Sequence, residues 1–405
     1  MNPTITPSSK KGFKRKFFHV LAKPLNKVLR RIYDYRLRHT GVDANMIVFQ
    51  SKPDYSDNAK AYSEYLAANH PEYEIYWILE NAFLEIDGVQ GRVTFYHRKN
   101  KYDLLSFSAY KMMATAQYVF ATHGYAIPYS YKRAGQQYIH LGHGCGYKGK
   151  SYRDGHRSFD KGLVVGNLFI KTQADYWGAP EDAMMPVGYP RFDWMLHPSQ
   201  QAHDLLKQVS RQRDTVIIWM PTFRNSTTKI SYKENAITAF PLMKDQHDWE
   251  HLDACCREKN VLLIVKLHIS QRSYDIDFSH LTNIMKMTNA DFEQAGVELY
   301  HFLPLATALI SDYSSVSVDY LLTDKPIAFA LDDYQQYQDS RGFAFDNPLD
   351  YMPGHHLYQL DDLLTFIGDV TSGNDKYAEE RHRIRQIAFK ESAHYCQDLT
   401  EALGL

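Results

Sequence analysis

The densest cluster of chemically capable residues lies between Tyr138 and Ser151. His143 follows a short apolar run, is flanked by glycines, and carries an imidazole that titrates near neutral pH, which suits proton transfer or contact with a phosphate. Gly144 to Ser151 also fits the phosphate-binding pattern G-x-x-x-x-G-K-S. That pattern requires a helix beginning at its Lys and Ser. Residues 152–157 are polar and show no helical apolar period, so a P-loop is the weaker interpretation.

Two other roles for His143 stay open from the residues alone. Cys145 lies two positions further on and could act with His143 as a thiol nucleophile, but that chemistry needs a third, orienting group that the sequence does not identify. His143 could also be a structural residue packed in a glycine-rich turn. An acid/base or phosphate-contacting role is favoured over both, because the imidazole pKa matches proton transfer at cellular pH.

Three apolar runs in the second half of the chain also end in polar or cationic residues. They lead to Arg224, to Lys266 and His268, and to Asp312, Ser314 and Ser315. Ser314 and Ser315 precede apolar residues at helical spacing, which indicates a helix start that is either a plain N-cap or an anion-binding N-terminus. One such residue is weak support for a site. Their recurrence at successive strand ends favours a site for an anionic ligand.

Strand-like and helix-like segments alternate along the chain and must position these residues. The expected strands are residues 46–49, 74–79, 118–121, 138–141, 163–165, 182–187, 215–220, 261–267, 308–311 and 326–330, and the expected helices include 58–68, 104–114, 247–258 and 316–322. This alternation predicts an α/β protein with two Rossmann-like domains facing a cleft, with ligands at the carboxyl ends of the strands. The expected domains are residues 41–198 and 199–405, and residues 190–200 could form a linker.

Composition and charge exclude several classes of protein. The chain has 405 residues, 44% hydrophobic and 23% charged, which is typical of a globular protein of two or three domains. Its net charge of -1 gives no whole-molecule attraction to nucleic acid. The 4 cysteines show no CxxC spacing, which indicates a reduced, intracellular protein without structural zinc. No membrane span or signal peptide is expected, because no apolar run approaches the ~20 residues that a spanning helix needs.

The first 40 residues form a basic segment of their own. They carry eleven Lys and Arg but only one acidic residue, Asp34, and the bases alternate with aromatic and aliphatic residues. This pattern predicts a cationic amphipathic helix, or two helices broken near Pro24. Such a helix favours an anionic membrane surface, while a solvated basic arm and a nucleic-acid-binding arm are the alternatives.

Taken in order, the short motifs of the chain resemble the CDP-glycerol glycerophosphotransferases, which prime and polymerise teichoic acids and related capsule polymers. The similarity extends from about Ile47 to Leu363. The matching segments are SKPDYSDNAKAYSEYL from Ser51, His143-Gly144 with Lys148, Gly188-Tyr189-Pro190-Arg191 with Asp193, Pro221-Thr222-Phe223-Arg224, Lys266-Leu267-His268, Ser311-Asp312-Tyr313-Ser314-Ser315 followed by Asp319-Tyr320, and Arg341-Gly342-Phe343. Cys145 and Ile269 stand where the family usually has Thr and Pro.

The resemblance implies a GT-B-like fold with an acceptor-side N-terminal domain and a nucleotide-side C-terminal domain. It implies that His143 takes the proton of the acceptor hydroxyl and that His268 is a second catalytic residue, in contact with the donor pyrophosphate. The remaining residues that it implies for the CDP-polyol donor are Arg224, Lys266, Asp312, Ser314, Ser315 and Arg341.

The implied reaction moves a polyol phosphate, with glycerol phosphate as the expected group, to a hydroxyl of a cell-envelope glycopolymer or lipid-linked acceptor and releases CMP. Neither a metal nor another cofactor is implied, and the expected place is the cytoplasmic face of the cell membrane. Two other functions remain open: a P-loop ATPase or kinase with Asp312 as its magnesium-site acid, and a non-catalytic membrane scaffold of the same fold.

Overall fold

The computed structural model describes residues 4–7, 12–87, 93–149, 158–221, 240–267 and 276–405. Arg224, His268, Lys150 and Ser151 lie outside the described residues. The strands are β1 (Thr4–Pro7), β2 (Asp43–Gln50), β3 (Glu74–Leu79), β4 (Leu84–Asp87), β5 (Val93–His97), β6 (Ala116–Ala121), β7 (Gln137–His140), β8 (Lys161–Leu163), β9 (Met184–Met185), β10 (Thr215–Trp219), β11 (Val261–Lys266), β12 (Ile284–Met287), β13 (Ala308–Ser311), β14 (Ile327–Ala330) and β15 (His355–Leu357).

The helices lie between these strands and after them. The α-helices are α1 (Gly12–Leu37), α2 (Asp57–Asn69), α3 (Phe107–Thr115), α4 (Ile170–Trp177), α5 (Phe192–Leu196), α6 (Gln200–Ser210), α7 (Gln246–Glu258), α8 (Asn289–Ala295), α9 (Leu299–Phe302), α10 (Ser315–Tyr320), α11 (Tyr334–Ser340), α12 (Leu360–Ser372), α13 (Ala378–Ala388) and α14 (Tyr395–Leu403). Short 3₁₀ turns occupy Tyr129–Tyr131, Asn167–Phe169, Glu181–Ala183, Leu303–Leu305, Leu321–Thr323 and Pro348–Tyr351.

The first sheet has seven parallel strands in the spatial order β5-β3-β2-β6-β7-β8-β9. Its central strand β2 contains Ile47, Val48 and Phe49, all with 0% exposure. Consecutive apolar residues of this kind are expected where helices cover both faces of a parallel sheet. The predicted parallel α/β organisation is therefore confirmed in this half.

The second sheet has six parallel strands in the order β12-β11-β10-β13-β14-β15. Ile217, Leu263 and Ile310 are fully buried on its central strands β10, β11 and β13. Lys266 ends β11 and Ser311 ends β13, so the candidate residues of this half lie at the carboxyl edge of the sheet. Ligands of open α/β sheets bind at this edge.

Polar side chains fix where several helices begin. The Oγ of Ser106 accepts a hydrogen bond from the Ala109 N–H at 3.4 Å, and that of Ser199 accepts one from the Ala202 N–H at 3.3 Å. Each satisfies one of the donors that a helix leaves unpaired in its first turn. The sequence pattern placed the start of α3 at residue 104, and the Ser106 cap moves it to Phe107.

The segment between the two sheets is packed, although its Pro and Ser content suggested a linker. Phe192 in α5 is fully buried, and the carboxylate of Asp193 accepts the N–H groups of Tyr395 and Cys396 at 2.6 and 3.0 Å. This carboxylate caps the start of the last helix, α14. The hydroxyl of Tyr62 then joins α2 to α14 through Thr400 at 3.1 Å.

Helix α1 continues through Pro24 as one element from Gly12 to Leu37. One face is packed on the first half: Tyr33 and Leu37 are buried, and the Tyr33 hydroxyl donates to the carbonyl oxygen of Leu105 at 3.0 Å. Another face leaves apolar side chains exposed, namely Leu25, Val28, Ile32 and Tyr35. Across the described ranges no helix has the length and apolar character that a bilayer crossing requires.

Candidate functional site

The loop that carries His143 lies against the start of α10 in the other half of the molecule. We refer to residues 141–149, which follow β7, as the His143 loop. A Cβ on Gly144 would lie 2.2 Å from the Oγ of Ser315, the first residue of α10, and Gly144 has a φ of +138°. Only glycine tolerates both the contact and this backbone conformation. The glycine next to the histidine therefore brings the two halves together at this point.

The same loop pairs with the segment after α11. The Gly149 N–H donates to the carbonyl oxygen of Gly342 at 3.1 Å, and the Ala344 N–H donates to that of Tyr147 at 2.8 Å. This pairing gives the motif Arg341-Gly342-Phe343 a structural role in addition to the donor-binding role expected for Arg341. It also brings Arg341 into the neighbourhood of the His143 loop.

The pKa of Lys148 responds to two charged groups of the second half. Burial lowers the pKa of its ammonium, the Arg341 guanidinium lowers it further, and the Asp312 carboxylate raises it. The charges of Arg341 and Asp312 thus both act on Lys148, and Asp312 precedes α10 in the chain. Arg341 and Asp312 were candidate donor-binding residues.

His143 itself is held by the end of β6. Its Nδ1 lies 3.3 Å from the carbonyl oxygen of Thr122, and its ring stacks on that of His123, with the centroids 4.6 Å apart and the planes 10° from parallel. Since a carbonyl oxygen only accepts hydrogen bonds, this contact favours the tautomer with the proton on Nδ1. The lone pair then lies on Nε2, as a general base requires.

The surroundings keep the imidazole neutral. Burial lowers the pKa of His143 below its ordinary value, and the positive charges of Arg191 and Lys148 lower it further, whereas the Asp57 carboxylate and the Thr122 carbonyl raise it. The net direction is downward, so His143 is unprotonated at neutral pH. A neutral imidazole can accept a proton from a hydroxyl group.

Arg191 connects the backbone of His143 to the second half. Both terminal nitrogens of its guanidinium lie 3.3 Å from the His143 carbonyl oxygen. Nη1 also donates to Asp57 at 2.6 Å, and Nη2 donates to Asp319 of α10 at 2.5 Å. The Tyr300 hydroxyl donates to the same Asp319 oxygen at 2.6 Å, and its ring lies 4.2 Å from the guanidinium carbon.

The start of α10 has the geometry of an ordinary helix entry. Asp312 is buried, and its Oδ1 accepts the N–H of Ser314 at 3.1 Å. Ser314 occupies the N-cap position but makes no side-chain capping hydrogen bond. The Ser314 and Ser315 side chains are partly exposed next to the His143 loop.

Lys266 ends β11 at the same edge of the second sheet. Its Nζ donates to the Oδ1 of Asn289 at 2.6 Å, and burial lowers the pKa of the ammonium to about 8. The side chain is thus still mostly charged at neutral pH. The two neighbouring candidates, Arg224 and His268, belong to the undescribed part of the chain.

Cys145 has no nucleophilic character in this setting. It is fully buried with its Sγ 3.1 Å from the Tyr189 hydroxyl oxygen, and burial raises the pKa of its thiol to about 12. Both the burial and the raised pKa disfavour the thiolate, which is the reactive form. The structure therefore does not support the Cys/His nucleophile interpretation. In the described ranges, no three His, Cys, Asp or Glu side chains gather as they would around a metal ion.

Sequence reasoning assigned no role to several residues of the candidate site, among them His123, Asp57, Lys148 and Arg191. His123 follows the predicted strand 118–121, so the rule applied to other strand ends would have found it. Asp57, Lys148 and Arg191 stand within segments that resemble family motifs.

The sequence profile of the family described as CDP-Glycerol:Poly(glycerophosphate) glycerophosphotransferase matches residues 32–393. The chain belongs to this family. Teichoic acid ribitol-phosphate polymerase TarL of Staphylococcus aureus is 24% identical over 345 residues, which are 79% of this chain and 56% of TarL. Teichoic acid glycerol-phosphate primase of Bacillus subtilis is 28% identical over 223 residues, 54% of this chain and 51% of the primase. This glycerophosphotransferase-family chain spans about half the length of these curated relatives.

A solved structure of the wall teichoic acid polymerase TagF superposes with a TM-score of 0.72 at 20% identity, over 98% of both chains. This similarity confirms the predicted GT-B-like fold with two Rossmann-like domains. The comparisons give the P-loop interpretation no support. The described glycines of that pattern are explained by their contacts: Gly144 packs on Ser315, and a Cβ on Gly149 would lie 2.4 Å from the carbonyl oxygen of Phe343.

Proposed function

We propose that this protein transfers a polyol phosphate, with glycerol phosphate as the first candidate, from a CDP-polyol to a hydroxyl group of an acceptor and releases CMP. The observation that carries the proposal is the packing of Gly144, the residue after His143, on Ser315 at the start of α10. The lowered pKa of the His143 imidazole supports its role as a proton acceptor. We infer from both that His143 of the first half serves the candidate donor site of the second half. Family membership and the polymerase and primase activities named for the relatives support the same reaction class.

In this reaction, Nε2 of His143 takes the proton of the acceptor hydroxyl. The hydroxyl oxygen forms a bond to the phosphorus that carries the polyol, and the bond from that phosphorus to the oxygen of CMP breaks. Negative charge develops on the leaving CMP, so cationic side chains and N–H donors near the pyrophosphate stabilise the transition state.

We assign the donor side to the candidate residues of the second half. Lys266 and Arg341 supply positive charge, and Ser314 and Ser315 supply hydroxyl and N–H donors at the start of α10. Asp312 orients this turn through the Ser314 N–H. Arg224 and His268 are proposed to contact the pyrophosphate on the strength of the family motifs alone.

The acceptor is proposed to be a glycopolymer of the cell envelope, such as a teichoic acid or capsule polymer, or its lipid-linked precursor. We place the reaction at the cytoplasmic face of the membrane, with α1 on the anionic surface. The exposed apolar side chains of α1 include Leu25, Val28 and Ile32. The exposed bases Arg31 and Arg36 lie beside this strip, three residues after Val28 and four residues after Ile32. An apolar strip with adjacent cations is typical of helices that lie on such surfaces.

A panel of donors tests the proposal. The protein is incubated with CDP-glycerol, CDP-ribitol or ATP with Mg²⁺, together with an alkyl-linked glycerol phosphate acceptor, and nucleotide products are quantified. CMP formation that depends on a CDP-polyol and on the acceptor is the expected result. Release of ADP with no CMP would favour a kinase, and donor binding without any CMP would favour a non-catalytic role.

A further inference from the structure

One guanidinium holds the backbone of the candidate base and the donor-side helix at the same time. Arg191 donates to the His143 carbonyl oxygen at 3.3 Å and to Asp319 at 2.5 Å. Asp319 lies in α10, which begins at Ser315, and Ser315 contacts the His143 loop at Gly144. The base and the start of α10 are therefore joined both at the loop and through this side chain.

Stability alone does not explain this arrangement. The side chains of Arg191 and Asp319 are 2% and 0% exposed, and removing two such charges from water carries a large free-energy penalty. Apolar side chains of similar volume commonly hold two surfaces together at least as well as a buried ion pair does. The planar, forked guanidinium of Arg191 binds three acceptors at once, and it thereby fixes their positions relative to one another.

We propose that Arg191 is a positioning residue for the transfer reaction. It fixes His143 relative to α10, so that the base lies at a set separation from a donor bound at the start of that helix. The inference rests on the proposed function. Arg191 acts through His143 and does not touch the donor.

A second ion pair between the halves provides a matched comparison. Lys60 of α2 lies 2.5 Å from Glu298, which precedes α9. It crosses between the same two halves, and neither side chain has a described contact with His143 or with a residue of α10. Glu298 precedes α9, which carries Tyr300, but Glu298→Gln removes no atom that bonds to Arg191 or to Asp319.

Kinetic measurements on variants of Arg191 and Glu298 test the proposal. With CDP-glycerol and an alkyl-linked glycerol phosphate acceptor, Arg191→Lys should lower kcat about 10- to 100-fold, since small misplacements of a catalytic group have effects of this size. Glu298→Gln should stay within about twofold. The dissociation constant for CDP-glycerol, measured by calorimetry, should change less than about twofold in both variants.

The decisive comparison repeats Arg191→Lys in a His143→Ala chain under single-turnover conditions. Because Arg191 acts through His143, its substitution should then change CMP release by less than about threefold. The positioning role would be overturned if Arg191→Lys lowered CMP release by the same factor with and without His143. It would also be overturned if Arg191→Lys alone kept the kcat of the unaltered protein. Absence of CMP from the unaltered chain would instead contradict the transferase proposal itself.

A milder pair of variants applies if Arg191→Lys does not fold. Tyr300→Phe removes the hydroxyl that donates to Asp319 of α10. Tyr320 also lies in α10, and Tyr320→Phe removes a hydroxyl that donates to the Ala306 carbonyl oxygen instead. Tyr300→Phe should lower kcat about fivefold only when His143 is present, while Tyr320→Phe leaves it within about twofold. Equal kcat in the two variants would overturn the proposal.

Discussion

Nδ1 of His143 lies 3.3 Å from the carbonyl oxygen of Thr122, at the end of the strand next to its own. This contact orients the imidazole and leaves Nε2 as the proton acceptor. The residue after Thr122, His123, adds a parallel ring stack. Thr122 and His123, which directly follow β6, therefore hold His143, the candidate base that follows β7.

The stack gives a first prediction. His123→Ala should lower kcat about tenfold, because the His143 ring loses one of its two supports, whereas His123→Phe preserves a flat ring and should retain most of the activity. Steady-state CMP release measures both. Equal losses in the two variants would show that stacking is not the contribution of His123.

The contact between Gly144 and Ser315 gives a second prediction. Gly144→Ala should lower both the melting temperature and CMP release, since its Cβ would meet the Ser315 Oγ at 2.2 Å. Gly373→Ala is the control: Gly373 also has a positive φ, +71°, but open space around its Cβ, so this variant has backbone strain of about 1–2 kcal/mol without the clash. A Gly144→Ala protein as stable and active as Gly373→Ala would contradict the close packing of the His143 loop on α10.

Lys266 gives a prediction for pH. Its ammonium has a pKa of about 8, so its positive charge is present below that pH and is lost above it. Affinity for CDP-glycerol should therefore fall as pH rises from 7 to 9. Lys266→Arg keeps its charge over this range and should remove most of that fall. Calorimetric titrations with CDP-glycerol at several pH values measure this affinity. The same pH dependence in the unaltered protein and in Lys266→Arg would argue against contact between Lys266 and the donor.

The exposed face of α1 gives a fourth prediction. Substitution of Leu25, Val28 and Ile32 by Gln should weaken binding to vesicles that contain anionic lipid, while the buried face with Tyr33 and Leu37 keeps the helix attached. Binding of the unaltered chain should also weaken with added salt, which screens the basic residues. Co-sedimentation measures both effects. Unchanged binding of the triple variant would contradict the proposed membrane contact.

Local sequence patterns located most of the central strands. Residues 74–79 and 308–311 were predicted with the bounds that β3 and β13 have, because each is an apolar run that ends at polar residues. The edge strands β12 and β15 were missed, since Ile284–Met287 and His355–Leu357 are short and mixed in polarity. Strands at sheet edges are only partly buried and carry a weaker apolar signal.

Local sequence patterns could not predict the Arg191 network either, but for a different reason. Its carboxylate partners Asp57 and Asp319 lie 134 and 128 residues away in the chain. No local pattern encodes a contact at that separation. The Pro and Ser residues around position 190 suggested a linker, while the fold places a fully buried Phe192 there.

The central claim is that His143 is the base of a CDP-polyol transferase. The measurement that tests it most directly is CMP release by the unaltered protein and by His143→Ala, combined with calorimetric binding of CDP-glycerol to both. The account predicts that His143→Ala binds the donor normally but releases CMP at least ~100-fold more slowly, which is the usual contribution of general-base catalysis. Turnover by His143→Ala at the rate of the unaltered protein would contradict it.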